Sequence, residues 1–295
     1  MSLRIAIVAL TRGYPDDKSQ YQTLIKRNSS IQRSIIQHRD NTVDIILFHE
    51  GNISKLDQEY INSKSQIKIK FVDVSKYFHD EGLTLEGEAK FNLGYRQMCR
   101  FNMYHIWDEV ADYDYILRVD EDIEIKDFDP FIFEKMEKKK QIYLTGRFTK
   151  ETHRLTNKTL PYFLIKNTDL DVDKVYNHRN PYTNLYASSV KFWNNEKNKS
   201  ILKMIALTDQ QIINRWGDHT VQGLLLNHRK VRIHLFPRLI YRHISHDLII
   251  KNNLVRNLTL NSKYNPVSIN ENIYLKFKLW IKGKIKSKNK YDFDS

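Results

Sequence analysis

A short apolar run that ends in three consecutive acids most constrains how this chain can fold. Tyr115–Val119 is apolar except for Arg118 and leads directly into Asp120, Glu121 and Asp122. A run of this length between polar residues is typical of a buried strand, and ligands of open α/β sheets bind at the carboxyl ends of the strands. The pattern therefore predicts an α/β fold with an acidic ligand site at the end of this strand.

The three acids favour a bound cation. Adjacent carboxylates repel one another unless a positive charge neutralises them. Hard oxygen ligands suit Mg²⁺ or Mn²⁺, which complete their shell with substrate phosphates. Because side chains alternate along an extended chain, Asp120 and Asp122 should face one ion and Glu121 the other way. Acid pairs of this spacing also occur in solvated turns, but the position after an apolar strand, next to Arg118, favours the metal site.

Composition narrows the class of protein. The 295 residues carry 48 Lys+Arg against 35 Asp+Glu, a net charge of +13, which favours nucleotide phosphates, nucleic acid or an acidic membrane as partner. A single cysteine, Cys99, excludes an internal disulfide. The chain contains neither a dinucleotide-binding glycine pattern nor a P-loop. No signal peptide and no apolar run of the ~20 residues that a membrane span needs is found. These features predict a protein in the cytoplasm or peripheral at the cytoplasmic membrane face.

Apolar segments and helical patterns alternate along the chain, as in βαβ folds. The first strand leads into Thr11 and Arg12, in a loop that we expect to contact a nucleoside. A long polar stretch, residues 149–182, reads as an irregular functional excursion rather than a linker. The pattern predicts strands at 4–10, 43–48, 67–74, 141–148 and 231–236, helices at 19–39, 88–110, 131–139 and 198–214, and a loop followed by a helix at 215–226.

Residues 271–295 differ from the rest because lysines alternate with apolar residues. Such a segment is suited to lie on anionic lipid, which would make residues 274–290 a peripheral membrane contact. A solvated, positively charged end is an equally good interpretation.

Four short sequences carry a resemblance to a known family. They are Y-R-Q-M-C-R-F at 95–101, Y-D-Y-I-L-R-V-D-E-D at 113–122, R-W-G-D-H-T-V at 215–221 and Y-R-H at 241–243. In this order they resemble the fungal α-1,2-mannosyltransferases of glycosyltransferase family 15. The resemblance covers residues ~90–245, and the first and third motifs are specific enough to make a chance match of the set very unusual.

The resemblance implies a GT-A fold, an α/β architecture with a mixed, mostly parallel sheet flanked by helices, here as a single domain of residues 1–270. It implies a metal-dependent, retaining glycosyltransferase that moves a hexose, mannose first, to a glycan or lipid-linked hydroxyl. The implied donor is a GDP-sugar, with a UDP-sugar as second choice. The implied metal is Mn²⁺ or Mg²⁺, held by Asp120, Asp122 and His243.

One departure concerns the catalytic residues. The family's N-F-E-I segment holds a glutamate proposed as nucleophile, and Tyr186 stands at that position here. A route through a covalent intermediate is then in doubt, whereas a same-face mechanism, in which the leaving phosphate deprotonates the acceptor, needs no such residue. Tyr186 is retained as a catalytic candidate. Asp218 should hydrogen-bond the acceptor hydroxyl, or serve only as the N-cap of the following helix.

The remaining candidates bind the nucleotide. Tyr95, Arg96, Arg100 and Arg118 are expected to hold phosphates or brace the acids, since the planar fork of arginine suits both tasks. For each arginine a structural salt bridge is an equal alternative. Two other functions stay open. One is a catalytically degenerate protein that binds a glycan or nucleotide. The other is a nucleic-acid-binding protein, less favoured because no signature of such a domain is present.

Overall fold

A seven-stranded sheet forms the centre of the protein. The computed structural model describes residues 3–15, 17–39, 43–79, 82–87, 91–168, 170, 172 and 179–257. The strands in these ranges are β1 (Ile5–Thr11), β2 (Val43–His49), β3 (Ile69–Asp73), β4 (Tyr115–Val119), β5 (Ile123–Phe128), β6 (Tyr143–Thr145), β7 (Phe148–Thr149), β8 (Asn180–Pro181), β9 (Leu185–Ser189), β10 (His234–Leu235), β11 (Leu239–His243), β12 (Leu248–Lys251) and β13 (Leu254–Asn257).

The helices pack on the faces of this sheet. A π-helical turn, Phe101–His105, continues the third helix into the fourth. The α-helices of the described ranges are α1 (Gln22–Ser34), α2 (Lys55–Ser65), α3 (Leu93–Arg100), α4 (Ile106–Glu109), α5 (Ile132–Lys138), α6 (Arg154–Asn167), α7 (Val190–Trp193), α8 (Glu196–Ala206), α9 (Asp209–Ile213) and α10 (Asp218–His228).

The central sheet has the order β10-β6-β9-β4-β1-β2-β3. Strands β4, β1, β2 and β3 are parallel, and β10 is parallel to β6. Strand β9 runs antiparallel to both of its neighbours, β4 and β6. The observed mixed, mostly parallel sheet flanked by helices confirms the predicted fold class.

Strand β1 is buried on both faces of the sheet. Ala6 and Val8 belong to one hydrophobic cluster, while Ile5, Ile7 and Ala9 belong to the other. Since successive side chains of a strand point to opposite faces, the continuous apolar run predicted from the sequence reflects a strand covered on both sides. Two hydrophobic layers therefore sandwich the central strands, as parallel sheets require.

The acidic stretch is divided between two sheets. Strand β4 belongs to the central sheet, but β5 pairs antiparallel with β11 in a four-stranded sheet of order β13-β12-β11-β5. The chain changes sheet within the turn of Asp120, Glu121 and Asp122. The acids consequently lie where the two sheets meet, at the carboxyl end of β4.

Three local predictions were wrong. Residues 149–182 contain α6, which buries Thr156, Leu160 and Leu164 at helical spacing although Pro161 lies inside the helix and obscures its pattern. Helix α2 separates β2 from β3, so the chain begins as three strands joined by two helices. Gly217, not Asp218, is the N-cap of α10.

The carboxyl-terminal predictions are not tested. Met1–Arg256 forms one compact unit, and the residues beyond 257 lie outside the described ranges, together with the expected membrane contact at 274–290 and the tail at 271–295. The boundary at 270 stays a prediction. Within the described ranges, every helix is too short or too polar to cross a bilayer.

Candidate active site

The acidic turn is held by backbone contacts on both sides. The N–H of Asp120 donates to the carbonyl oxygen of Asn184 at 3.0 Å, and the N–H of Ile123 donates to the carbonyl oxygen of Asp120 at 3.1 Å. Glu121 turns toward β1, where its carboxylate accepts a hydrogen bond from the Thr11 hydroxyl at 2.5 Å. Glu121 thus points toward β1, whereas Asp120 contacts Arg118 and Asp122 contacts Ser245.

Arg118 connects the acidic turn to the start of α10. Its Nε donates to Asp120 Oδ1 at 2.7 Å, and its Nη1 donates to Asp218 Oδ2 at 2.6 Å. The Arg118 side chain is only 6% exposed. Burial alone would lower the pKa of Arg118, but the two carboxylates outweigh burial and raise it well above its usual value. The guanidinium therefore stays charged and fixes the distance between two predicted site residues.

His243 lies on the other side of the acidic turn. Its Nε2 is 3.0 Å from Asp122 Oδ2, and the hydroxyl of Ser245 donates to the same oxygen. Burial would raise the pKa of Asp122, but the hydrogen bond and charge of His243 hold it below its usual value. Asn184 contacts Nδ1 of the imidazole at 3.3 Å. This second contact fixes the orientation of the ring.

Negative charge is concentrated around Asp120. Burial first, and then the carboxylates of Asp122 and Asp218, raise the pKa of Asp120 to about 6 although Arg118 lowers it. A positive ion in front of Asp120 and Asp122 would relieve this repulsion, so the donor set of two carboxylates and an imidazole fits a divalent cation. In the described part of the chain, however, no three His, Cys, Asp or Glu side chains already form a metal cage.

Tyr186 is packed in the core. It pairs with Arg118 across β4 and β9, and it is 0% exposed. Its ring stacks on Tyr143 with centroids 5.0 Å apart, and the amide of Gln222 approaches its hydroxyl at 3.5 Å. Burial raises the pKa of Tyr186 to about 12. The side chain is thus a neutral phenol that supports the strand next to Arg118.

Arg96 and Arg100 hold protein segments together. Arg100 Nε donates to Gln211 Oε1 at 3.0 Å, and Arg96 is 1% exposed. Within the described ranges, the guanidinium of Arg96 donates to four backbone carbonyl oxygens, those of Phe91, Ile212, Ile213 and Glu86. These contacts favour the structural alternative that the sequence left open for both arginines.

Three further candidates lie around the same end of the sheet. Thr11 is at the carboxyl end of β1 and contacts Glu121. Arg12 is exposed, and its Nε donates to the Tyr14 hydroxyl at 2.9 Å. The hydroxyl of Tyr95 accepts a hydrogen bond from Arg215 Nη2 at 3.1 Å. The structure thus places Thr11 and Arg12 next to the acidic turn, whereas Tyr95 belongs to a neighbouring hydrogen-bond network.

That neighbouring network centres on Glu151, which the sequence did not single out. Its carboxylate accepts hydrogen bonds from the Thr220 hydroxyl at 2.8 Å and from the backbone N–H of His153 at 2.7 Å. Arg215 Nη1 lies 3.3 Å from the same carboxylate, and His219 Nε2 lies 3.4 Å from it. The network joins the loop before α6 to the first turn of α10, next to Asp218. The only sequence feature that pointed to this network was the motif at 215–221.

The comparisons with known proteins identify the family and the fold. A family model described as glycolipid 2-alpha-mannosyltransferase matches residues 68–263, more than half of the chain. No curated protein sequence matches the chain. Core-mannan synthase A from Aspergillus fumigatus, solved in a Mn/GDP form, is similar in structure with a TM-score of 0.66 and 16% identity, covering 82% of this chain and 74% of that one.

The mannosyltransferase Ktr4p from S. cerevisiae is similar to the same degree. Its structure gives a TM-score of 0.65 at 15% identity and covers 82% of this chain and 70% of that one. The structure of the same protein in complex with GDP gives a TM-score of 0.65 at 15% identity and covers 82% of this chain and 71% of that one. At such identities these likenesses establish the fold alone, and the family match confirms the resemblance carried by the motifs. The chain therefore belongs to glycosyltransferase family 15 and is a glycosyltransferase of the GT-A fold.

Proposed function

We propose that this enzyme transfers a hexose, mannose first, from a nucleotide-diphosphate sugar to the hydroxyl of a glycan or lipid-linked acceptor, with retention of configuration. One observation carries the proposal. Arg118 joins Asp120, in the acidic turn, to Asp218, at the start of α10, through two charge-assisted hydrogen bonds. A metal-facing acid and an acceptor-facing acid are thereby held in one rigid unit.

The donor would bind at the acidic turn. Asp120, Asp122 and His243 supply the ligands for Mn²⁺ or Mg²⁺, and a bound divalent ion would neutralise the charge of the leaving diphosphate. Thr11 and Arg12 lie on the β1 side of the same turn, which supports their assignment to the nucleoside. GDP is the first choice for the nucleotide, supported by the GDP-bound relatives, and UDP is the second.

The acceptor would meet Asp218. Its Oδ2 accepts from Arg118, and its Oδ1 accepts from the N–H of His219 at 2.9 Å. With both oxygens fixed, the carboxylate has a set orientation and retains lone pairs for an acceptor hydroxyl. The side chain is 8% exposed, so this contact would be made in a largely water-free site, where hydrogen bonds orient a substrate effectively.

Tyr186 bears on the route of the reaction. A neutral, buried phenol is a poor nucleophile, so its environment supports the same-face mechanism. In that mechanism the bond from the anomeric carbon to the phosphate oxygen breaks while the bond to the acceptor oxygen forms. The acceptor proton passes to the departing phosphate, which leaves atoms and charge balanced. Tyr186 then acts by supporting the strand pair that carries Arg118.

The family description supports a lipid-linked sugar among the possible acceptors. A contact of residues 274–290 with anionic lipid would bring the enzyme to such acceptors. A catalytically degenerate, ligand-binding protein is the second candidate function, supported by Tyr186 at the position of the family's proposed nucleophile.

The decisive experiment measures both binding and turnover. Purified protein is tested with GDP-mannose, UDP-glucose, an ADP-sugar and a CMP-sugar, with and without Mn²⁺, by melting temperature and by release of the nucleotide. We expect GDP-mannose to raise the melting temperature only with the metal, because a ligand of the folded state stabilises it. We also expect slow release of GDP, which transfer to an added acceptor would accelerate.

Two variants complete the test. Asp120→Asn should abolish both the metal-dependent shift and turnover. Asp127→Asn removes a carboxylate of the same segment that pairs with the exposed Arg238, and it should leave both unchanged. Binding without any turnover across all donors would favour the degenerate protein. Full turnover in Asp120→Asn would refute the proposed site.

A further inference from the structure

A basic cavity lies at the end of the central sheet opposite to the acidic turn. Ser189 pairs with Tyr115, the first residue of β4, and its N–H donates to the carbonyl oxygen of Ile142 at 3.0 Å. Both Ser189 and Ile142 line a cavity of about 480 Å³. Since β4 has five residues at about 3.3 Å each, roughly 16 Å of strand separate this cavity from Asp120.

The cavity combines an apolar floor with a basic rim. Ile142, Phe192 and Val231 form the floor, and Lys191, Lys197 and Arg229 supply the positive charges. The volume is in the range of small-molecule sites, which are mostly apolar with a few polar groups placed on them. The lining therefore suits an amphiphilic anion, with an apolar part for the floor and a negative group for the rim.

The positive charge extends beyond the cavity. The positive charges of Arg232 and Lys139 lie close enough to His234 to affect its titration. Burial first, and then these two charges, lower the pKa of His234. Lys191, Lys197, Lys139 and Arg232 are exposed, and in the described ranges none of them lies in an ion pair. An acid of the same surface, Glu196, lies in the first turn of α8. Cations without acidic partners on one surface create a field that attracts polyanions.

We propose that this basic surface, defined by Lys139, Lys191, Lys197, Arg229 and Arg232, docks the enzyme on an anionic phospholipid bilayer. Lipid phosphates and carboxylates would contact the cations. The cavity would accept the glycerol region of one lipid. None of these five residues belongs to 274–290, and the inference does not depend on the donor or acceptor of the enzyme.

A bilayer suits the cavity better than a nucleic acid does. Single-stranded nucleic acids bind to aromatic side chains that offer a free face for base stacking. Phe192 is half-buried and already packs edge-on against Trp193, with centroids 5.0 Å apart and an interplanar angle of 87°. Its ring contributes an apolar floor, which matches the region of a lipid below the headgroup.

The first test is flotation of the full chain with vesicles. Phosphatidylcholine vesicles are compared with vesicles that contain phosphatidylserine, at low and high salt. The variant Lys139→Glu/Lys191→Glu/Lys197→Glu reverses three charges of the basic surface. The control Lys26→Glu/Lys55→Glu/Lys64→Glu reverses three exposed lysines of α1 and α2. We expect salt-sensitive binding to the anionic vesicles only, weakened about a hundredfold in the first variant and kept in the control.

The second test locates the contact without changing several charges. Cys99 is buried, so a single cysteine introduced as Lys191→Cys or Lys64→Cys can be labelled with a polarity-sensitive dye. We expect anionic vesicles to increase and blue-shift the emission at position 191 alone. Equal losses in both charge variants, or equal responses at both labels, would overturn the proposal. So would binding of an RNA oligonucleotide by a protein that does not bind the vesicles.

Discussion

Arg118 and Asp218 form a buried ion pair of 2.6 Å although 100 positions separate them in the chain. The pair joins β4, which ends at Asp120, to the start of α10. Because Arg118 also holds Asp120, one guanidinium sets the relative position of the two carboxylates. In the proposed reaction, Arg118 would therefore position a metal-binding acid and an acceptor-binding acid without touching either substrate.

Arg118→Lys should reduce turnover strongly. Lysine keeps the charge but has no planar fork, so it cannot hold Asp120 and Asp218 together. We expect kcat/KM to fall by about a hundredfold, the size of effect that a misplacement of about 1 Å produces. Steady-state transfer measures this loss. Arg238→Lys, in the exposed pair with Asp127, should retain activity. An Arg118→Lys enzyme with a normal rate would separate the ion pair from catalysis.

Asp218→Asn should separate acceptor chemistry from donor binding. The amide cannot accept a hydrogen bond at the nitrogen that would face Arg118, so the acceptor-facing group loses its orientation. We expect kcat for transfer to fall while the Kd of the nucleotide, measured by calorimetry, changes little. If the nucleotide Kd rose by the same factor as kcat fell, Asp218 would belong to the donor site instead.

Glu151 should make stability depend on pH in the acidic range. Burial would raise the pKa of Glu151, but His219, the N–H of His153, Thr220 and Arg215 lower it below its usual value. The unfolded chain then binds the proton more tightly. The stabilisation is present above the unfolded pKa of about 4.5 and is lost as pH falls through the folded pKa.

The variant Glu151→Gln tests the direction of this pH dependence of stability. We expect the variant to lose about 3–5 kcal/mol at pH 7, since Arg215 is left with a buried, unpaired charge. The difference in unfolding free energy from the wild type should shrink as the pH falls below about 4.5. Urea unfolding at pH 7, 5 and 4 measures both effects, and a constant difference across this range would contradict the assignment.

His105 should add a second pH dependence at higher pH. Burial first, and the charge of Arg100 second, lower the pKa of His105 to about 4. The unfolded histidine titrates near 6.5, so unfolding becomes more favourable as pH falls from about 6.5 to 4. His105→Phe retains the stacking on Tyr77, whose ring is 4.1 Å away, and removes the titration. We expect its urea midpoint to change less between pH 7 and 5 than that of the wild type.

Two helical glycines should respond oppositely to alanine. At Gly223 an added Cβ would lie 2.3 Å from Asn180 Oδ1 and 3.2 Å from its Cα, because β8 packs directly on α10. At Gly94 the nearest atom would be 3.7 Å away. We expect Gly223→Ala to cost about 1–3 kcal/mol by overpacking and Gly94→Ala to stabilise by about 0.5–1 kcal/mol. Thermal unfolding of the two variants gives the comparison.

Local patterns predicted the elements that are buried on both sides. β1, β2 and β4 are mostly apolar runs, interrupted by Asp44 in β2 and Arg118 in β4, and their positions follow from the sequence alone. Helix α6 was missed because Pro161 interrupts the signal that Thr156, Leu160 and Leu164 would otherwise give. The second sheet was missed because β5 and β11 lie far apart in the chain, and no local pattern specifies that pairing.

The residues of the candidate site also divide into those that local patterns predict and those that depend on the tertiary fold. Thr11, Asp120 and Asp122 could be found from strand ends, and the motifs of the family pointed to Asp218 and His243. The roles of Arg96 and Glu151 depend on partners brought in by the tertiary fold, so composition and spacing carry no trace of them. The complete burial of Tyr186 likewise results from tertiary packing, since its ring on β9 stacks on Tyr143.

The change of sheet at the acidic turn has a mechanical consequence. Since β4 and β5 belong to different sheets, the distance between Asp120 and Asp122 depends on how the two sheets pack against each other. A substitution under β11 would tilt one carboxylate relative to its neighbour and would weaken the metal binding that we propose for the pair. In this enzyme, substitutions that loosen the packing between the two sheets should therefore lower the reaction rate before they unfold the protein.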